Sequence, residues 1–200
     1  MKTQMIKSSK KLISYLFFMS LIISFSCQTK SADPVKGNKQ KADKEVKVEV
    51  PKMDIHAAAF MGNVEVIRQH IKAGSDLNIK EAVGGSSPLI SATVFGKTEV
   101  ALALIEAGAD LNCTNNEGST ALHSAAFFCR SEIVEALINK GADKTIKNKA
   151  GSTALESVQA PFEAVKGIYD FISKQLGPLG FKLDYKQIEA DRPKIATMLQ

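Results

Sequence analysis

The sequence predicts an all-α solenoid of stacked helix pairs, and three observations predict it. First, a block recurs: Met53-Asp54-Ile55-His56-Ala57-Ala58-Ala59-Phe60-Met61-Gly62, then Ser87-Pro88-Leu89-Ile90-Ser91-Ala92-Thr93-Val94-Phe95-Gly96, then Thr120-Ala121-Leu122-His123-Ser124-Ala125-Ala126-Phe127-Phe128-Cys129. A degraded fourth copy opens at Thr153-Ala154-Leu155, so the starts at 53, 87, 120 and 153 are 34, 33 and 33 residues apart, a period typical of repeat architectures. Second, each block is followed by apolar residues at i, i+3, i+4 spacing, such as Val100, Leu104, Ile105 and Val134, Leu137, Ile138, which is one face of a helix. Third, Gly74, Gly108 and Gly141 close those segments, at the position after a helix that favours a left-handed residue.

In chain order, the N-terminus reads as a targeting segment. Lys2, Lys7, Lys10 and Lys11 precede an apolar run from Leu12 to Phe25, followed by Ser26, Cys27 and a polar stretch. A basic region, a short apolar region and a small residue before the cut describe a secretory signal over residues 1–26. Ser24-Phe25-Ser26-Cys27 resembles a bacterial lipobox, in which cleavage precedes the Cys and its sulfur is lipidated; Ser24 and Phe25 depart from that pattern. The run is shorter than the ~20 residues of a comfortable membrane span, and an uncleaved anchor is the alternative. Residues 27–52 then form the lipidated Cys and a linker of seven lysines and four acids without an aromatic, too polar to fold alone.

Removing these ends dissolves the apparent basicity. The chain carries +5; four signal lysines leave 5 − 4 = +1, and the linker's +3 leaves 1 − 3 = −2 from Met53 onward. A nucleic-acid footprint would be clustered on the domain, so nucleic acid is not an expected partner.

Within residues 53–176 the local chemistry fits paired helices. Asn63, Thr98 and Ser131 are expected N-caps, with Glu65, Glu99 and Glu132 near the positive helix end. Pro88 suits a first helical turn. The first connecting finger, Glu81-Ala82-Val83-Gly84-Gly85-Ser86, is one residue longer and is expected to be more mobile. Pro161 stands near the helix–helix turn of the last copy, which lacks a closing Gly-Ala-Asp. Gly177-Pro178-Leu179-Gly180 breaks the pattern, and the segment 177–200 reads as a C-terminal tail with helices over 183–190 and 193–199. That tail either caps the last repeat or docks a partner.

The recurring Thr-Pro-Leu-His-like openings and Gly-Ala-Asp endings (Ala107-Gly108-Ala109-Asp110, Lys140-Gly141-Ala142-Asp143) resemble the ankyrin repeat over roughly residues 53–175. The resemblance implies an ankyrin-repeat solenoid of helix–turn–helix pairs with finger loops, in three full repeats plus a degraded capping repeat and the helical tail. It implies that His56 and His123 bridge neighbouring repeats. His70 falls where later copies have Leu104 and Leu137, and a water-facing first repeat would account for it. The resemblance also implies protein binding.

No catalytic or metal-ligating set emerges, and no cofactor is implied. The three His lie in different units, and Cys113 and Cys129 are expected as free thiols at opposite ends of a helix. The candidate binding residues are Phe60, Met61, Val94, Phe95, Phe127 and Phe128, apolar in all three copies at the concave end of the first helix. Stacking would align them as a stripe, and exposed apolar stripes mark interaction surfaces. Alternatively one residue of each pair packs between helices, or the fingers or tail cover the stripe. Val83, Gly84, Asn116, Glu117, Ser119, Lys149 and Ser152 on the fingers would line the same side and add specificity, while Asp76, Asp110 and Asp143 would secure turns.

The expected protein is a non-enzymatic monomer: an exported lipoprotein facing the periplasm or cell surface of a bacterium, binding a protein partner through its concave face. The alternatives are a dedicated inhibitor or protector of an envelope enzyme or toxin, a structural spacer, and an enzyme built on Asp184, Tyr185 and Arg192.

Overall fold

The computed structural model describes residues 49–200. Among them are nine α-helices and no strand: α1 (Ile55–Met61), α2 (Val64–Lys72), α3 (Pro88–Val94), α4 (Thr98–Glu106), α5 (Ala121–Phe127), α6 (Ser131–Asn139), α7 (Ala154–Gln159), α8 (Phe162–Leu176) and α9 (Tyr185–Leu199). A 3-10 turn, Gly177–Leu179, follows α8. None of these helices is long and apolar enough to cross a membrane. The signal, the lipobox and most of the linker lie outside the described residues.

Three short inner helices, α1, α3 and α5, stack in a row, and α2, α4 and α6 stack behind them. The inner row packs closely because its facing positions are alanine: Ala58, Ala59, Ala92, Ala125 and Ala126 are all fully buried. Side chains without a γ-carbon let helix backbones approach. Ile67, Leu104, Val134 and Leu137 from the outer row close the same core. No single unit could bury such a face alone; neighbours do it for one another.

Pro88 stands in the first turn of α3, as expected, and the inner helices carry caps that the sequence reading did not name. The Ser87 and Thr120 hydroxyls and the Asp54 carboxylate accept from first-turn backbone N–H groups of α3, α5 and α1. Asn63 caps α2 in the same way. Thr98 and Ser131 do not cap: they are the first helical residues, and the cap positions belong to Lys97 and Arg130, which make no side-chain cap bond. The two cations serve the stack instead. The Lys97 stem lies against Gly62 and the Arg130 guanidinium against Gly96, so that a Cβ at either glycine would come within 2.9 Å and 2.8 Å of the cation's side chain. The third member of that row is Cys129, left-handed at φ 50, where no such cation follows.

The fourth unit is built differently. α7 stacks on α5 as its inner helix, and α9 packs against both α7 and α6. The C-terminal tail is therefore the missing outer helix, and residues 161–184, including α8, are an insertion at the helix–helix turn. α9 is one helix capped by Asp184, whose carboxylate accepts from Gln187 N–H, and it runs straight through Pro193 instead of restarting there.

His70 is 4% exposed, not a water-facing residue of the end repeat. Its Nε2–H donates to the Met53 carbonyl at 2.8 Å, and its Nδ1 accepts from the Ser75 hydroxyl at 2.9 Å. It pins the chain entering the solenoid to the end of α2. His70→Leu would restore the residue of the later repeats yet leave that carbonyl without its partner. We expect a loss of about 1–3 kcal/mol, read as a lower urea midpoint at unchanged m-value.

Candidate functional site

The stripe forms, and most of its length is covered. The row Met61, Phe95, Phe128 occupies one repeat position. Met61 is 62% exposed, Phe95 is half-buried and Phe128 is only 7% exposed. The gradient follows the insertion. Phe181 sits edge-on to both Phe95 and Phe128, at centroid distances of 5.9 and 5.4 Å. Tyr169 of α8 stacks on Phe127 at 4.7 Å. Phe127 meets Phe128 at 5.1 Å and Phe60 meets Phe95 at 4.5 Å, both edge-to-face. Each such pair is worth about 0.5–1.5 kcal/mol beyond its buried area. Phe128 joins Val165, Tyr169, Leu176, Phe181 and Ile188 in a second core, with Val94, Phe95 and Phe127 packed against it. The expectation of one open stripe is thus corrected: Phe127 and Phe128 are bound from within the chain, Phe60 is half-buried against Phe95, and the row is open at Met61.

A buried polar chain fixes the cover. The Tyr169 hydroxyl donates to the Phe127 carbonyl at 2.6 Å. Arg192, 3% exposed, donates from Nη1 to that hydroxyl at 2.8 Å, and from Nη2 to the carbonyls of Ala160 and Ser157 at 2.8 and 3.2 Å. Those carbonyls end α7, where the helix dipole is negative and acceptors are left over. The groups considered for catalysis therefore carry architecture. Arg192 caps α7, Asp184 caps α9, and the Tyr185 hydroxyl donates to Asp170 at 2.9 Å.

The fingers form a second ladder. Each Asp holds its own turn: the Asp76, Asp110 and Asp143 carboxylates accept from Asn78, Asn112 and Thr145 N–H. Asn78 and Asn112 in turn accept from the next finger's Asp110 and Asp143 N–H at 2.7 and 2.9 Å. Asn116 is part of this framework, since its Nδ2 donates to the Val83 carbonyl and its backbone N–H to the Gly84 carbonyl. Lys149 N–H donates to the Glu117 carbonyl, and Lys149 is exposed. The long first finger, expected to be mobile, is organised by Glu81, whose carboxylate accepts from Val83, Gly84 and Ser86 N–H. Ile79 and Val83 of that finger are each 48% exposed. Sequence reasoning places Val83 among the finger residues but misses Ile79; an isolated apolar residue in a loop carries no periodic signal.

His123 bridges repeats, as the resemblance implied: its Nε2–H donates to the Ser152 carbonyl at 3.0 Å and its Nδ1 faces Thr120. Burial pushes its pKa down, which keeps the ring neutral and able to do both. The buried ring nitrogens of His56 make no hydrogen bond; the finger that follows His56 is the longer one. Cys113 and Cys129 are free thiols, and burial pushes the Cys129 thiol up to about 11.

Residues 55–148 match the family model for ankyrin repeats, in three copies. The fold is an ankyrin-repeat solenoid. The chain is similar to Protein PhlB of Serratia liquefaciens (35% identical over 66 residues, 33% of this chain and 29% of that protein). It is also similar to protein phosphatase 1 regulatory subunit 12A of Mus musculus (38% identical, 33% of this chain and 6% of that protein). Protein phosphatase 1 regulatory subunit 27 of Homo sapiens is 34% identical over 32% of this chain and 41% of its own length. The chain spans less than half of each of these relatives.

Tyr169 gives the second core a pH limit. Burial pushes its hydroxyl up to about 12 from an ordinary value near 10. Its contribution is fully present below pH 10, where the tyrosine is protonated whether the chain is folded or not. Between about pH 10 and 12 only the unfolded chain ionises, so that contribution, on the order of 2–3 kcal/mol, is lost over that window. Tyr169→Phe removes the titration. We expect stability lower by about 1–3 kcal/mol at neutral pH, and a flatter decline above pH 10 in denaturant melts run at stepped pH.

Proposed function

We propose that this chain is an exported, non-enzymatic binding protein, held to a bacterial envelope membrane by a lipid on Cys27, that captures a protein partner with the open end of its ankyrin solenoid. The observation that carries the binding face is the exposure gradient along the repeats. Met61 at 62% and Ile79 and Val83 at 48% are large apolar side chains at the first repeat and its finger. At the other end the insertion has turned Phe128, the position equivalent to Met61, into core. Such side chains, set on a stack of helices and on fingers tied by Asp–Asn bonds, offer a rigid surface that loses little entropy on binding.

Phe60, Met61, Ile79 and Val83 would supply apolar contacts, with Asn116, Glu117 and Lys149 on the following fingers as the polar rim. Phe127 and Phe128 are assigned to the fold. A spacer with no partner would have no use for exposed apolar groups on its most rigid face. The relatives named as regulatory subunits of a phosphatase favour a protein partner over a small molecule.

A cross-linked pull-down from native envelopes tests the face. Wild type should enrich one partner, and Met61→Glu/Val83→Glu should lose it while keeping its helical circular dichroism. Phe171→Ser, on the outward side of the insertion, should still retain it. The anchor is tested separately by metabolic labelling with a radioactive fatty acid. Wild type should take up label and fractionate with membranes, and Cys27→Ser should do neither; label retained by Cys27→Ser would remove the anchor from the proposal.

A further inference from the structure

The insertion shows what chemistry the stripe accepts. It approaches as a segment of the same chain and places one aromatic ring, Phe181, edge-on between stripe rings of successive repeats, Phe95 and Phe128. One step along the same row stands Met61, beside Phe60, whose ring meets Phe95. Nothing from the insertion reaches that step. A shallow groove begins there, running across the turns that follow the first two inner helices and lined by Met61, Gly62, Gly96, Lys97, Thr98 and Glu99 among others. The Lys97 stem forms its floor over Gly62, and Glu99 is exposed at its rim.

Charge gives the surroundings a sign. Residues 53–119, the first two repeats, hold eight acids (Asp54, Glu65, Asp76, Glu81, Glu99, Glu106, Asp110, Glu117) against four bases (Arg68, Lys72, Lys80, Lys97), 4 − 8 = −4. The region from Met53 onward totals −2, so the remainder, residues 120–200, carries +2. The open end is the acidic end.

From these observations we infer that the occupant of the groove is a basic segment of the protein partner that presents one aromatic side chain. That ring seats against Phe60 and Met61 and extends the row of rings that Phe181 has begun, and a flanking Lys or Arg faces Glu99. This inference rests on the protein-binding reading and names the chemistry of its partner. The intramolecular contact is the template: the same repeat position, the same edge-on ring packing, and continuity with a contact already made. An aromatic anchor in a pocket rimmed by complementary charge is the usual form of an interface hot spot.

The test is selection from a random peptide library on the immobilised full chain, followed by titration of synthetic peptides made from the enriched sequences. The chain has no Trp, so a Trp-bearing peptide reports binding through its own fluorescence. The expected result is enrichment of peptides with an aromatic residue within a few positions of Lys or Arg. Met61→Glu should weaken their binding at least tenfold, and Glu99→Lys should shift the selected flanking charge from basic to acidic. Both residues are exposed, so both variants should fold, which circular dichroism checks. Enriched peptides without an aromatic, binding indifferent to Met61→Glu, an unchanged charge preference in Glu99→Lys, or no enrichment at all would each overturn the inference. The two readings fail differently. An envelope partner lost with Val83→Glu alone but kept by Met61→Glu leaves binding on the first finger and removes the groove; no envelope partner for wild type removes the protein-binding reading itself.

Discussion

The buried guanidinium of Arg192 is the constraint on which the C-terminal half of the molecule depends. A solenoid must end, and its last inner helix must find acceptors and donors for its own terminus. Here α7 is only six residues long and stops at Pro161. Its final carbonyls would otherwise be buried without partners. Arg192 reaches them from α9, and with its other nitrogen holds Tyr169, which holds the Phe127 carbonyl. One side chain thus joins the last inner helix, the last outer helix and the insertion to the third repeat. Among the described residues no carboxylate pairs with it directly; its acceptors are carbonyls at a negative helix end and a hydroxyl. Burying a charge this way is costly unless its donors are used, and Nε is the one left over.

Once that link fixes the insertion, the fate of the aromatic stripe follows. The rings of Phe127 and Phe128 are too large to lie bare beside a segment carrying Phe162, Tyr169 and Phe181. The two sets interlock into a second core beside the alanine-lined first one. The cores differ in kind. The first is close packing between helix backbones, repeated at each unit. The second is a single assembly of rings, made once, where repetition stops. A repeat protein cannot continue its own pattern at its end, so the end needs a different solution; here it is an intramolecular ligand.

The repeats themselves were legible because their physics is local and recurs. The repeated block and the closing glycines act within a few residues and recur at 33- or 34-residue spacing, and the Asn63 cap and Pro88 are equally local signals. The turn role of Asp76, Asp110 and Asp143 was readable for the same reason. What was not legible depends on which helix stacks on which. Nothing in the composition of residues 162–199 tells that α9, and not α8, pairs with α7; the apolar spacing suits either. Pro161 and the missing Gly-Ala-Asp marked the place of the departure but not its size. His70 misled because a polar residue at an end repeat suggests exposure, whereas its two nitrogens happen to meet a carbonyl and a hydroxyl. Lys97 and Arg130 were overlooked as cap-position residues because their task lies in the neighbouring repeat, against Gly62 and Gly96.

The same arrangement gives the two ends of the solenoid different chemistry. A protein with an open apolar row along its whole inner face would offer several equivalent sites to any apolar segment, and equivalence along a repeat array allows a ligand to slip by one unit. Closing the row at Phe128 and Phe95 removes those registers. What stays exposed is one step of the row, Met61, next to one finger bearing Ile79 and Val83, within an acidic stretch. Specificity in a repeating scaffold requires that the repeats be made unequal. The insertion makes them so, by filling the positions that would compete and leaving one that does not.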